Sequence, residues 1–477
     1  MKTLHAYCSL PPLLPDVGGH IVNSPLFGNG FSTPESRTLF SDHKRLQRWL
    51  DVEVALAESQ AAIGMIPHEA AATLAKTAKI ERLNMAAIQQ DIEQTGHSLV
   101  PLLRAWQAIT PEKAARYIHY GATTQDIQDT AQSLELCEAL DIIERDIRRV
   151  ANELNRLAKM NRNVVMVGRT HGQQALPTTL GLKCSVWLDA TLRNLTRLQH
   201  TRKEVAVAQL FGGVGTMDAF GTRGEALLAL FARRLQLRAP LSAWHVSRDR
   251  VVHFVMTMAL VAGELANITN EILQLSKTEI GEVSEGISSG AIGSSTMPHK
   301  HNPENSERVV ALARMVKSSA TLSLDCLCNE HERDYRSVRL EWVAITESVL
   351  YTAEALYLTH NILSNLQINY SAINANVEQA RYHICSEALM FTLSDKLGKP
   401  IAYDIMYNAL QYQRKHPNSS LIEVLMNNPN VANSITSEEL EATVQPHNHI
   451  GLSHRIVDRV TAQANFTLAQ PASSLFQ

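Results

Sequence analysis

Four stretches of this chain, Thr130 to Asn161, Thr178 to Gln209, Ser247 to Glu279 and Arg339 to Leu363, contain no proline and only two glycines, Gly181 and Gly263. Their apolar residues recur near a 3.6-residue period, which predicts helices. Helices of about 30 residues are far longer than the globular average of about 11–12, and each spans roughly 45 Å. Long helices in series, joined by short breaks, predict a bundle. The run Val251 to Leu260 is apolar on nearly every face. A helix of that kind is buried, either within the chain or between chains.

Shorter helical patterns are read at Leu39 to Ile63, Arg223 to Leu237 and Ser306 to Cys326. Residues 1 to about 36 are rich in proline and glycine and read as loop. From about Val377 the pattern shortens, punctuated by Pro400, Pro417 and Pro429, and a small helical C-terminal unit is expected. Strand signals are few.

With 477 residues, 45% of them apolar, the chain has enough material for two or three domains and a large core. A net charge of −3 gives no global attraction to nucleic acid or to anionic membranes, so any anion selectivity must come from a local cluster. Of the six cysteines, only Cys326 and Cys328 are close, and a one-residue gap matches neither zinc nor redox spacing. All six are expected as reduced thiols. No signal peptide is evident in residues 1–30, and no run of 18 apolar residues is read, so no membrane span and a cytoplasmic location are expected.

The chemistry is concentrated at the breaks between helices. Gly281, Gly286, Gly290 and Gly293 lead into Gly-Ser-Ser-Thr-Met-Pro-His-Lys-His-Asn-Pro at residues 293–303. Hydroxyls, a cation and an amide donor on a glycine-rich segment suit a lid that closes on an anionic substrate. Four more polar clusters occupy other breaks: Thr95 to Ser98, His119 to Asp126, Gly168 to Gln174 and Asn329 to Asp334. Thr123, Thr124 and Asp126 also suit a helix cap. A lone histidine is more often structural than catalytic, and Arg333 with Asp334 also suits a solvated ion pair.

The 293–303 string resembles the signature of the fumarase/aspartase superfamily, Gly-Ser-Ser-x-x-Pro-x-Lys-x-Asn-Pro. The other four clusters have counterparts there in the same order, so the resemblance spans nearly the whole chain. It implies an all-α, three-domain fold: an N-terminal helical domain (1–119), a central long-helix bundle (120–370) that forms a tetrameric core, and a small C-terminal helical domain (371–477). It also implies a homotetramer whose four sites are each built by three subunits, through the regions matching His119 to Asp126, Gly168 to Gln174 and the Ser294 loop. The expected partner is a small anionic dicarboxylate. Neither cofactor nor metal is called for, nor nucleic acid or membrane.

Elimination beside a carboxylate removes a weakly acidic C–H proton and piles charge on that carboxylate, so preorganised cations and N–H donors matter most. Lys300 and Asn302 suit that task. By resemblance Ser294 is the base, active only as an alkoxide stabilised in a closed site. His171 matches the general acid, and Glu307 the carboxylate paired with it. His97 matches a second histidine near a substrate carboxylate or phosphate. Thr123, Thr124, Gln125, Asp126, Thr170, Gln209 and Ser295 are expected to hold substrate, with Arg333 and Arg339 as anion clamps.

Arg-Thr-His-Gly and His-Glu-Arg-Asp resemble adenylosuccinate lyases, and the implied reaction is C–N cleavage of adenylosuccinate to AMP and fumarate. Ser24 to Gly28, Gln209 to Thr216 and Glu341-Trp342 resemble 3-carboxy-cis,cis-muconate cycloisomerases instead, although these usually carry tryptophan where His171 stands. The Ser-Ser-Ala-Glu-Arg segment that holds the nucleotide phosphate is replaced by Val338-Arg339-Leu340-Glu341-Trp342. A lyase for another substituted succinate and a non-catalytic structural bundle complete the alternatives.

Overall fold

The computed structural model describes residues 19–286, 296–297 and 299–471. Ser294 and Ser295 therefore lie outside the described residues. The N-terminal part holds α1 (Pro34–Leu39), α2 (Asp42–Ala62), α3 (His68–Thr77), α4 (Met85–Thr95), α5 (Val100–Ile109) and α6 (Glu112–Ala115). The long helices follow: α7 (Thr124–Met160), α8 (Leu180–Val205), α9 (Gly224–Arg234), α10 (Asp249–Leu275), α11 (Glu304–Leu324) and α12 (Tyr335–Ser364). Beyond them come α13 (Tyr370–Ile384), α14 (Ser386–Leu397), α15 (Lys399–Lys415), α16 (Leu421–Met426), α17 (Pro429–Ala432), α18 (Ser437–Thr443) and α19 (Ser453–Ala469).

The bundle core comes from the 3–4-residue spacing of large aliphatic side chains. Leu140, Ile143, Ile147, Val150 and Leu154 of α7 are buried in one core with Phe254, Met258, Val261, Leu265 and Ile268 of α10 and side chains of α8, α11 and α12. Each such side chain contributes roughly 1.5–3 kcal/mol on burial. A second cluster joins α2, α4 and α5 to Leu210, Phe220, Leu227 and Phe231, so the segment after α8 packs on the N-terminal helices. A third fills the C-terminal helices and includes Val167.

The sequence reading placed no run of 18 apolar residues, yet a window of α10 has a mean hydropathy of 1.6 and the helix is long enough to cross a membrane. It is packed between α8, α11 and α12, and 56% of that window is already buried inside the chain. The five described cysteines, at 137, 184, 326, 328 and 385, are free. Burial pushes the thiols of Cys137, Cys184 and Cys326 up to about 12 and that of Cys385 to about 11, so none of these four is primed to react.

One break read as loop is a hairpin. Strands β1 (Val165–Thr170) and β2 (Gln173–Thr179) pair antiparallel, with Val165 opposite Thr179 and Thr170 opposite Gln173. His171 and Gly172 form the two-residue tip, at φ 51° and 75°. Positive φ at both central positions is what a type I′ turn requires. The short alternating strand hid beneath its polar residues, and the start of α8 shifts accordingly from 178 to 180. Strands β3 (Val283–Ser284) and β4 (Gln367–Ile368) make a second small ladder.

Candidate active site

The first turns of α7 gather four loops. The helix starts earlier than its apolar pattern suggests, because Asp126 Oδ2 accepts the N–H of Thr123 at 3.1 Å and closes the first turn. Asp126 also accepts the N–H groups of Phe211 (3.0 Å) and Gly212 (2.9 Å) and meets His245 Nε2 at 3.0 Å. One turn on, Gln128 donates to Ser98 Oγ at 2.7 Å, which ties in the His97 loop. Asp129 accepts from Gln209 Nε2, and Thr130 exchanges two hydrogen bonds with the Gln209 backbone. Arg333 Nη1 donates to Thr123 Oγ1 at 2.8 Å and its Nη2 to the Gly213 carbonyl at 2.8 Å. Arg333 thus joins α7 rather than pairing with Asp334, which is held by Arg336.

Within this group Thr123, Thr124 and His97 are half-buried. His97 Nδ1 accepts the N–H groups of Leu99 and Val100 at the start of α5, so the ring proton sits on Nε2. Arg333 Nε is buried and has no partner among the described residues. Three expected substrate contacts stand elsewhere. Asp126 and Gln209 are 0% exposed and Gln125 is 5% exposed. Gln125 donates to the His245 carbonyl, Gln209 is bonded to Asp129 and the Trp244 N–H, and both oxygens of Asp126 are saturated. These three frame the loops that line the site and offer no surface to a ligand.

Sequence alone does not single out His119 within the polar break before α7. Its Nδ1 donates to Glu53 Oε1 at 2.6 Å, its backbone N–H reaches Glu53 Oε2 at 3.2 Å, and its φ is 57°. The Glu53 partner lies 66 residues away on α2, a pairing no local pattern reveals.

The remaining clusters lie at the far end of the bundle. His171, on its hairpin tip, is exposed, as is Thr170. Arg169 at the base of the tip forms a two-bond ion pair with buried Glu282 (2.7 and 3.0 Å), just before the glycine-rich segment. Glu285 then accepts the N–H groups of Asn305 (3.2 Å) and Ser306 (2.7 Å) at the start of α11. A carboxylate on a helix N-terminus is favourable, and here it clasps the two ends of the loop carrying Lys300 and Asn302. Lys300, Asn302 and Glu307 are exposed. No hydrogen bond joins Glu307 to His171 within the chain, so the expected pair is not formed there.

The 37 residues of α7 span about 55 Å. Thr123 precedes its first residue and the hairpin follows its last, and a six-residue strand reaches back only about 20 Å. Helix α10 repeats the separation: Arg248 before it binds Asp129, while Glu282 after it binds Arg169. The chain therefore presents two groups of polar side chains at opposite ends of its bundle. The α7 end offers hydroxyls, His97 and Arg333. The loop end offers His171, Lys300, Asn302 and Glu307.

Residues 30–317 match the family model described as Lyase, and residues 383–460 that of the adenylosuccinate lyase C-terminus. The N-acetyl-S-(2-succino)cysteine lyase of Dickeya dadantii is 39% identical over 94% of this chain and 99% of its own. An adenylosuccinate lyase of Methanocaldococcus jannaschii is 35% identical over 90% and 94%. The crystal structure of the 3-carboxy-cis,cis-muconate lactonizing enzyme from Pseudomonas putida superposes with a TM-score of 0.86 at 32% identity, covering 94% of this chain and 100% of that one. With its long-helix bundle and these matches, the chain belongs to the fumarase/aspartase superfamily of lyases, in the branch of adenylosuccinate lyases and 3-carboxy-cis,cis-muconate cycloisomerases.

Proposed function

We propose that the protein eliminates fumarate from a 2-substituted succinate, at sites assembled from both ends of neighbouring bundles in a homotetramer. The observation that carries this reading is the separation of the two polar groups, each of which is then a half-site. An acid and a cation-bearing loop stand at one end, anion-binding groups at the other, and only another copy of the chain can bring them together. The exposed Val186, Leu260 and Val343 on α8, α10 and α12 supply apolar surface for such an assembly.

In that site Ser294 removes the proton beside the carboxylate. Lys300 and Asn302 hold the carboxylate as its charge grows. His171 delivers a proton to the leaving atom where that atom needs one, and Glu307 of another copy orients the ring. Thr123, Thr124, Thr170, Ser295, His97 and Arg333 bind the succinyl part, with the His97 Nε2–H as a donor. Gln125, Asp126 and Gln209 keep these groups in place from behind.

The leaving group we favour is a small thiol. Binding AMP requires a phosphate anchor, and the residues at hand are poorly suited to it. The guanidinium of Arg336 is bonded to Asp334 and Glu330, and this contact holds the Asp334 carboxyl well below its ordinary range. Arg339, stacked on Tyr335 and Trp342, supplies only one cation for a doubly charged phosphate. The two N-acetyl-S-(2-succino)cysteine lyases at 38–39% identity point the same way. Adenylosuccinate stays as the second reading, favoured by the match of residues 383–460 and by His171, which suits a nitrogen leaving group. The test is fumarate release, followed by ultraviolet absorbance, from N-acetyl-S-(2-succino)cysteine, adenylosuccinate and 3-carboxymuconate in parallel. Turnover of the muconate without fumarate release refutes the elimination reading.

A further inference from the structure

Between α2, α4 and α12 lies a cavity of about 240 Å³ that the reaction chemistry above does not use. Its walls are apolar, with Leu46, Trp49, Ile88 and Ile92 on one side and Trp342 on the other. Gly96 and Ser98, which flank His97, form part of its rim, so it opens beside the α7 half-site. The site and the cavity share a frame: Ser98 is bonded to Gln128, and Glu341, adjacent to Trp342, is bonded to Gln132.

Two cations enter this apolar space. The guanidinium carbons of Arg45 and Arg339 each lie 5.6 Å from the centre of the Trp342 ring. Arg45 is partly neutralised by Glu135, 3.5 Å from its Nε. Asp42 also lines the cavity. Arg339 stacks on Tyr335 at 4.9 Å and pairs with no carboxylate among the described residues. Stacking holds a guanidinium plane in place while leaving its N–H edge free for an anion.

We propose that this cavity receives the leaving half of the substrate, and that Arg339 selects leaving groups that pair a short apolar body with a carboxylate. The proposal rests on the lyase reading above and adds a specificity-determining residue to it. The volume falls below the roughly 300–1,000 Å³ typical of sites for larger ligands. It suits an acylated amino-acid thiol better than a nucleotide. A single unpaired guanidinium also matches one carboxylate better than a doubly charged phosphate.

The test measures kcat and KM for fumarate release by the wild-type and Arg339→Gln proteins. The two substrates are N-acetyl-S-(2-succino)cysteine and the same thioether with its cysteine carboxylate converted to a carboxamide. Removing the guanidinium or the carboxylate alone is expected to raise KM about ten-fold, the loss of one charge-assisted contact. Removing both should raise it no further, because the same contact is lost. Arg339→Lys should recover part of the loss, and kcat should stay within about two-fold throughout. Additive losses, or equal wild-type KM for acid and amide, overturn the pocket while leaving the lyase reading intact. A lower wild-type KM for adenylosuccinate than for the thioether also overturns the pocket alone. Release of fumarate from neither thioether overturns the thioether reading and the pocket with it.

Discussion

Glu53 holds His119 twice, by the ring at Nδ1 and by the backbone N–H, with the Glu53 side chain 1% exposed. Burial alone lowers the basicity of the imidazole, but the Glu53 hydrogen bond, its charge and that of Asp126 outweigh this and raise its pKa above the ordinary value. A histidine with a raised folded-state pKa adds stability below its unfolded pKa, about 6.5, and loses it as pH rises through the folded value. Glu53→Gln should therefore lower the His119 pKa and cost more stability at pH 6 than at pH 9. Ring-proton NMR titration and thermal unfolding at the two pH values check this. An unchanged titration rules out the dyad.

His171 and Thr123 flank α7 at opposite ends, too far apart to act within one chain. Assayed on an N-succinyl substrate, Ser294→Ala and His171→Ala should each fold and each be nearly inactive. After unfolding and joint refolding, mixtures should recover up to about a quarter of wild-type activity if the two residues reach one site from different chains. Activity assays on the mixed and separate proteins decide it, and no recovery despite confirmed subunit exchange counts against shared sites.

The protonation role of His171 depends on the leaving atom. A thiol ionises near pH 8.5 and departs as thiolate with little help, whereas an amine needs a proton. His171→Ala should lower kcat by about 10²-fold or more on an N-succinyl substrate, and by less than about ten-fold on an S-succinyl one. Equal losses on both would show that His171 does something other than donate a proton.

Arg248 is fully buried between Asp129 and Glu341, with bonds of 2.5–3.1 Å. Arg248→Met leaves two carboxylates buried beside α7 without their cation, a change that costs about 3–5 kcal/mol. For a chain of this length that corresponds to a drop in Tm of about 3–5 °C. Thermal unfolding measures it. A Tm within about 1 °C of wild type would mean that water or neighbouring groups replace the guanidinium.

The order of helices, the breaks that hold polar residues and the superfamily were legible in the chain itself, because apolar periodicity and short motifs are local properties. Long helices such as α10 and α12 fell within a few residues of their expected spans, since their cores are set by side chains three and four positions apart. The start of α7 was missed by six residues, because Gln125, Asp126 and Asp129 are polar yet buried by partners 80 or more residues away. The hairpin was missed because its tip depends on backbone angles at His171 and Gly172.

Sequence by itself determined that this chain builds a long-helix bundle and which residue types converge on a carboxylate. Only the tertiary structure decided which of them face a ligand. It turned Asp126 and Gln209 inward as frame, brought Arg339 and Trp342 beside Arg45, and set His171 at the opposite end of the bundle from Thr123. The physical reason is that burial and long-range hydrogen bonding depend on where a helix ends and what packs there, and a motif carries no record of either.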